Sequence, residues 1–143
     1  MNRVIEVLLV EDNPEDVILV EEALREGNVS IHLNVVEDGV EALRFLRGEG
    51  ASVNAKKVDL VILDLNLPKE NGHEVLKKMK SDPALQQLPV VVLTTSQADR
   101  DVAKAYGLGA SCFITKPFGF YQFMEAVKSI EKFWFNLVTL PPK

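Results

Sequence analysis

The chain has few of the residues that build disulfides and transition-metal sites. Its 143 residues include one cysteine, Cys112, and two histidines, His32 and His73. A single cysteine cannot form a disulfide within the chain, and its apolar neighbours predict a buried strand residue. The two histidines lack the spacing of a metal pair, which favours a surface or loop-edge position for both. We therefore do not expect cysteine or histidine chemistry to carry the function.

The sequence also lacks long apolar runs and an excess of basic residues. Nowhere do about 18 apolar residues follow one another, as a membrane-spanning helix requires, and the first residues show no signal-peptide pattern. The 16 lysines and arginines are outnumbered by 21 aspartates and glutamates, which gives a net charge of −5. No basic stripe could neutralise a row of phosphates. We expect a cytoplasmic protein that binds neither membranes nor nucleic acids.

What the sequence does contain is a fivefold alternation of short apolar runs with amphipathic stretches. This pattern is typical of a parallel α/β fold, and the chain length suits one domain. Strands are predicted at the five apolar runs Val4–Val10, Ile31–Val36, Asp59–Leu63, Val90–Leu93 and Cys112–Thr115. An irregular stretch with two glycines, Gly48–Lys57, is predicted to be a surface loop.

Polar residues stand at the carboxyl ends of four predicted strands. Glu11 and Asp12 follow the first strand, and Asp64, Thr94 and Lys116 end the third, fourth and fifth. Because the carboxyl ends of parallel strands meet at one edge of a sheet, we expect these side chains to lie close together. Three carboxylates there would repel each other unless a cation compensates. Since Mg²⁺ selects carboxylate and carbonyl oxygens and retained waters, the sequence predicts a magnesium site beside a lysine.

Asp64 could bind that ion and still present a free oxygen as a nucleophile. Aspartyl phosphate is a known class of covalent intermediate, and phosphoryl transfer needs chiefly in-line positioning and stabilisation of charge. Mg²⁺ and Lys116 would supply the charge, and the Thr94 hydroxyl could hydrogen-bond the transferred group. The predicted chemistry is phosphorylation of Asp64.

In this order and spacing, the same residues resemble the response-regulator receiver domain of two-component signalling. The resemblance extends from residue 4 to about residue 133. Its motifs are Glu11-Asp12, Leu63-Asp64-Leu65-Asn66-Leu67-Pro68, Leu93-Thr94-Thr95 and Lys116-Pro117 after the aromatic Phe113. It implies a flavodoxin-like fold, with a five-stranded parallel sheet in the order 2-1-3-4-5 and helices on both faces. It also divides the chain into a receiver domain, residues 1–135, and a C-terminal tail, residues 136–143.

The resemblance implies how the metal and the phosphoryl group would be held. Glu11, Asp12 and Asp64 would bind Mg²⁺ or Mn²⁺ together with the backbone carbonyl of Asn66. A histidine kinase would donate its phosphoryl group to Asp64. The protein would then catalyse its own phosphorylation and dephosphorylation without being a turnover enzyme.

The resemblance also implies a switch. Lys116 and Thr94 would contact the phosphoryl oxygens, and movement of Thr94 would let Phe113 turn inward. Together they would bias the surface formed by the fourth helix, the fifth strand and the fifth helix. A cis peptide bond between Lys116 and Pro117 is implied as well.

The end of the chain resembles one subgroup of this family. Ile130–Pro142 is similar to the ends of single-domain response regulators that serve phytochrome-type, light-sensing histidine kinases in bacteria, so such a kinase is the expected partner. A helix can bury only part of Phe133, Trp134 and Phe135, and Leu137 extends the apolar surface. We therefore expect a homodimer through the last helix and the tail. The alternative is a tail that folds back on its own domain.

Three other functions are compatible with parts of the sequence. Asp64-Leu65-Asn66 is similar to the nucleophile loop of aspartate-dependent phosphatases, but these need a second aspartate as general acid, and Asn66 cannot protonate a leaving group. A nucleotide-binding module would need a glycine-rich loop after the first strand, where Glu11 and Asp12 would repel phosphate. A receiver that only docks to partners is disfavoured because every site residue is present.

Overall fold

The computed structural model describes residues 4–49, 58–95 and 98–142. Its parallel sheet has the predicted strand order, β2-β1-β3-β4-β5. The strands are β1 Ile5–Val10, β2 Ile31–Val36, β3 Leu60–Leu63, β4 Val90–Thr94 and β5 Cys112–Thr115. The helices are α1 Pro14–Arg25, α2 Gly39–Leu46, α3 Gly72–Ser81, α4 Asp99–Gly107 and α5 Phe120–Glu131. A π-helical segment, Lys132–Leu137, continues α5.

Helices cover both faces of the sheet, which is why the strands are so apolar. In β1, Leu8 and Val10 face a core that includes residues of α2, α3 and α4. Val7 and Leu9 face a second core, built with residues of α1 and α5. The alternation follows from the period of two along a strand. Within the described residues, no helix combines the length and the apolar character needed to span a membrane.

Helix caps place the first turns of two helices beside the carboxyl edge of the sheet. The Asn13 side chain accepts the backbone N–H groups of Glu15 and Asp16 at 2.9 and 3.3 Å, and Pro14 suits the first helical position. Asp38 caps α2 by accepting the Glu41 N–H at 2.8 Å. Because Asn13 comes directly after Asp12, α1 begins beside the acidic pair.

The π-helical segment and the tail that follows it have an inner and an outer side. Trp134, Phe135 and Leu140 pack, partly buried, against the core shared with α1 and α5. Phe133 and Leu137 are 50% and 74% exposed. The predicted boundary at residue 135 falls within the π-helical segment. The tail therefore folds back in part, as the alternative to a dimer required, and still leaves apolar side chains in solvent.

Several smaller predictions need correction. His73 is buried in α3, where its Nε2 lies 3.3 Å from the Asp101 carbonyl oxygen, because the side chain fills the space between α3 and α4. The Lys116–Pro117 bond is trans, as are the other described peptide bonds. Cys112 lies in β5 as predicted but is only half-buried. Most of the predicted loop Gly48–Lys57 lies outside the described residues.

Candidate functional site

Four strands bring polar side chains to one edge of the sheet, as predicted. Register pairs Val10 of β1 with Leu63 of β3, and Leu63 with Val92 of β4, so the residues that end these strands are neighbours. The site residues Glu11, Asp64, Thr94 and Lys116 are all buried, whereas Asp12 is exposed. The result is a buried polar cluster with Asp12 at its solvent-exposed end.

The carboxylate of Asp64 is held by donors on both of its oxygens. Oδ1 accepts the Thr94 hydroxyl at 2.8 Å and the Asn66 backbone N–H at 3.0 Å. Oδ2 accepts from Lys116 Nζ at 3.0 Å. The Asn66 contact is the local turn that aspartate makes with the backbone two residues on. These bonds fix the carboxylate in one orientation.

Lys116 lies at the centre of the site. Its Nζ donates to Glu11 Oε1 at 2.5 Å, to Asp16 Oδ2 at 2.7 Å and to Asp64 Oδ2 at 3.0 Å. An ammonium group carries three donors, so each donor is matched by a carboxylate. Its backbone N–H donates to the Thr94 carbonyl at 2.6 Å. The buried lysine is thus held both by its main chain and by its side chain.

The charges in the site shift the pKa values of Glu11 and Lys116. Burial acts to lower the pKa of Lys116, but hydrogen bonds to Asp16 and Glu11 and the charge of Asp64 outweigh it, so the pKa is raised. Burial raises the pKa of Glu11 to about 7; the Lys116 hydrogen bond opposes this shift and the charge of Asp64 adds to it. A bound cation would displace a proton from such a carboxyl.

Three carboxylates form a candidate cation site. Glu11, Asp12 and Asp64 each offer an oxygen, and these oxygens lie within 4.8 Å of one another. Neighbouring ligands on an octahedral Mg²⁺ are about 3 Å apart, so small side-chain movements would bring the donors together. Hard oxygen donors with a side open to water suit Mg²⁺ and Mn²⁺, which agrees with the predicted cofactor. The Asn66 carbonyl as a further ligand stays a prediction.

Phe113 lies on β5, beside the site. It is partly buried against the core shared with α2, α3 and α4, and its backbone N–H donates to the Tyr106 hydroxyl at 3.1 Å. That bond joins α4 to β5. The location suits the predicted switch, whose motion stays a prediction.

Asp16 is the site residue that the sequence analysis missed. It lies in the first turn of α1, where acidic residues are common because they complement the helix dipole. Its residue type therefore does not distinguish it from Glu15. Its position could have identified it: α1 begins two residues after Asp12, so the first turn of α1 must lie near the carboxyl edge of the sheet.

Comparison with known proteins agrees with this geometry. The family model of the response regulator receiver domain matches residues 7–128. The chain belongs to this family. The receiver is 42% identical over 135 residues to the response regulator Rcp1 of Synechocystis sp., covering 94% of this chain and 92% of Rcp1. The predicted family and its role in two-component signalling are confirmed, which sets aside the phosphatase and nucleotide-binding alternatives.

Two solved structures closely resemble this receiver. The phosphorylated cyanobacterial phytochrome response regulator RcpA matches with a TM-score of 0.95 at 46% identity, over 98% of this chain and 100% of RcpA. The Mn²⁺-bound form of Rcp1 matches with a TM-score of 0.93 at 42% identity, over 96% of this chain and 99% of that structure. The predicted receiver fold is confirmed.

Proposed function

We propose that this receiver accepts a phosphoryl group from a histidine kinase on Asp64, in a reaction that needs Mg²⁺ or Mn²⁺. The arrangement around Asp64 is the observation that carries the proposal. Around Asp64 lie the carboxylates of Glu11 and Asp12, the Lys116 ammonium and the Thr94 hydroxyl. A nucleophile beside a cation site and fixed donors has the parts that phosphoryl transfer needs.

Each residue has a role in this proposal. Glu11, Asp12, Asp64 and the Asn66 carbonyl hold the metal, which when bound neutralises charge on the phosphoryl oxygens. An oxygen of Asp64 forms the new bond to phosphorus while the bond to the donor breaks. The protein thus promotes its own phosphorylation and dephosphorylation and is not a turnover enzyme.

Lys116 and Thr94 carry the signal away from the phosphoryl group. Both now donate to Asp64, through Nζ at 3.0 Å and Oγ1 at 2.8 Å. Once Asp64 is phosphorylated, both donors turn to phosphoryl oxygens, because these carry more negative charge. Movement of Thr94 frees space for Phe113 on the adjacent strand β5. The change biases the surface of α4, β5 and α5.

We infer that the partner is a phytochrome-type, light-sensing histidine kinase. The similarity to RcpA, a phytochrome response regulator by name, supports this partner at 46% identity. The net charge of −5 favours protein contact over nucleic-acid binding. A cytoplasmic location, away from membranes, suits such a kinase partner.

We further propose that receivers form homodimers through the end of α5 and the tail, with residues 1–135 as the receiver domain and 136–143 as the tail. Phe133 and Leu137 are exposed although large and apolar. They flank Trp134, which packs edge-to-face against Phe133 with ring centroids 5.4 Å apart. Exposed apolar clusters of this kind mark association surfaces.

The phosphorylation proposal is tested by intact mass spectrometry after incubation with acetyl phosphate. We expect a gain of about 80 Da, one phosphoryl group, that requires both Mg²⁺ and Asp64. The variant Asp64→Asn and a chelator should each abolish the gain. Asp99→Asn, which changes an exposed aspartate at the start of α4, is the matched control and should leave it intact. If neither acetyl phosphate nor beryllofluoride modifies or binds the native protein, the receiver only docks to partners.

A further inference from the structure

Asp16 is the one carboxylate around Lys116 that lies outside the predicted cation site. The cluster that could hold a metal ion consists of Glu11, Asp12 and Asp64. Asp16 Oδ2 instead lies 2.7 Å from Lys116 Nζ, with its side chain 19% exposed against 5% for the lysine. The contact joins residues 100 positions apart in the chain. It ties the first turn of α1 to the end of β5.

The other two partners of Lys116 must change during the proposed reaction. Glu11 now accepts from Lys116 Nζ through Oε1 at 2.5 Å and from the Asn13 N–H through Oε2 at 3.2 Å, so binding a metal requires it to loosen or share one of these bonds. Asp64 accepts from Lys116 through Oδ2 and becomes the phosphorylated group. Asp16 neither belongs to the candidate cation site nor accepts the phosphoryl group, so it can keep its bond to the lysine throughout.

The backbone of Asp16 is held in place as well. Its N–H donates to the Asn13 side chain at 3.3 Å, as part of the cap of α1. The Lys116 side chain, in contrast, is a flexible four-carbon stem. A fixed carboxylate that keeps one ammonium proton leaves the others free to point at Asp64 and its phosphoryl group.

We propose that Asp16 is a positioning residue, which holds the Lys116 ammonium against α1 while Glu11 turns to the metal and the phosphoryl group arrives. This inference rests on the proposed phosphorylation of Asp64. Without Asp16, the position of the Lys116 ammonium changes whenever Glu11 or the metal moves. The ammonium then contacts the phosphoryl oxygens less often. Misplaced catalytic groups typically cost tenfold or more in a preorganised site.

The test measures beryllofluoride and Mg²⁺ affinities separately, by fluorine NMR at saturating Mg²⁺ and by metal titration. Asp16→Asn should weaken beryllofluoride binding about tenfold, and Asp16→Glu should restore part of the loss. Glu15→Gln is the matched control, because it removes the same charge from the same helical turn at an exposed side chain. We expect Asp16→Asn and Glu15→Gln to have equal Mg²⁺ affinity. A difference between the two variants in beryllofluoride affinity then reports on the placement of Lys116.

The outcomes separate this inference from the function on which it rests. If the native protein binds no beryllofluoride, the proposed function fails. If the native protein binds it and Asp16→Asn binds equally well or more tightly, only the positioning role fails. Thermal unfolding in chelator checks that each variant is folded. If Asp16→Asn does not fold, Asp16→Ala carries the test, since it also removes the carboxylate; binding as tight as in the native protein would then contradict the proposal.

Discussion

Among single residues, Glu131 is unusual because it is a buried carboxyl with an oxygen that lacks a hydrogen-bond partner among the described residues. It ends α5 and is 6% exposed, and the oxygen concerned is Oε2. Burial raises its pKa above the ordinary value of 4.5, opposed by the Asn28 N–H and the charge of Lys128. A raised pKa in the folded state means that the folded protein binds this proton more tightly than the unfolded chain. The stabilisation that this proton gives the folded protein is complete below the pKa of Glu131 in the unfolded chain. It is lost as the pH rises through the pKa of Glu131 in the folded protein.

Glu131→Gln is therefore expected to stabilise the protein at alkaline pH. The change removes a buried charge, so the free energy of unfolding should rise by about 1 kcal/mol at about pH 8. The gain should be much smaller at about pH 4, where the Glu131 carboxyl is largely protonated in both the folded and the unfolded state. Urea denaturation at both pH values measures the difference.

The control for that experiment is Glu125→Gln, on the same helix but exposed. It should give no pH-dependent gain. Equal stabilisation by Glu131→Gln at both pH values would show that packing, and not the charge, limits stability at this position.

At the scale of elements, the start of α3 holds the loop that follows Asp64. The Gly72 N–H donates to the Leu65 carbonyl at 3.0 Å. A Cβ at Gly72 would lie 2.5 Å from the Asp64 carbonyl oxygen and 2.6 Å from Leu65 Cα. Such distances are well inside van der Waals contact, so α3 can approach β3 this closely only through a glycine.

Gly72→Ala should therefore disturb both stability and the site. The backbone around Asp64 must move to admit the methyl group, and we expect a loss of about 1 to 3 kcal/mol in the free energy of unfolding. Phosphorylation by acetyl phosphate should slow as well, because the carboxylate loses its alignment. Urea denaturation and the mass assay measure the two effects.

Gly107→Ala, at the end of α4, is the matched glycine control. A Cβ there meets no described atom within 4 Å, so the change should be neutral or slightly stabilising. If Gly72→Ala behaves like Gly107→Ala in both measurements, the close approach of α3 does not constrain the site.

At the scale of the whole molecule, the inner and outer sides of the π-helical segment and the tail predict different effects of mutation. Phe133→Ala and Leu137→Ala should shift a micromolar sample from dimer to monomer in sedimentation velocity, with little change in melting temperature, because both side chains are exposed. Trp134→Ala should lower the melting temperature, since Trp134 packs against the core of its own domain.

Phe118→Ala is the control for this surface. Phe118 is 94% exposed but lies in the loop after β5, outside the proposed interface. Removing its side chain should therefore leave the mass measured by sedimentation unchanged. A native protein that sediments as a monomer, with a mass that none of these substitutions alters, would contradict the homodimer.

Much of this protein could be predicted from short-range patterns in the sequence. The apolar run Val7–Val10 can be buried only inside a sheet covered on both faces. The acids that follow it share an edge with Asp64 because parallel strands all present the same ends. Alternation along strands and periodicity along helices are local properties, so they determined the elements, their order along the chain and the residues at the functional edge. The order of the strands within the sheet was implied only by the resemblance to the receiver family.

Contacts between distant elements were decided only in the tertiary structure. Asp16 meets Lys116, and His73 is buried beside Asp101, because helices dock on the sheet at particular heights and rotations that no local pattern records. The same holds for the tail, whose apolar residues are visible in the sequence while their division into an inner Trp134 and an outer Phe133 is not. The sequence by itself determined which groups reach the functional edge; packing decided which of them hold Lys116 and which apolar side chains remain in solvent.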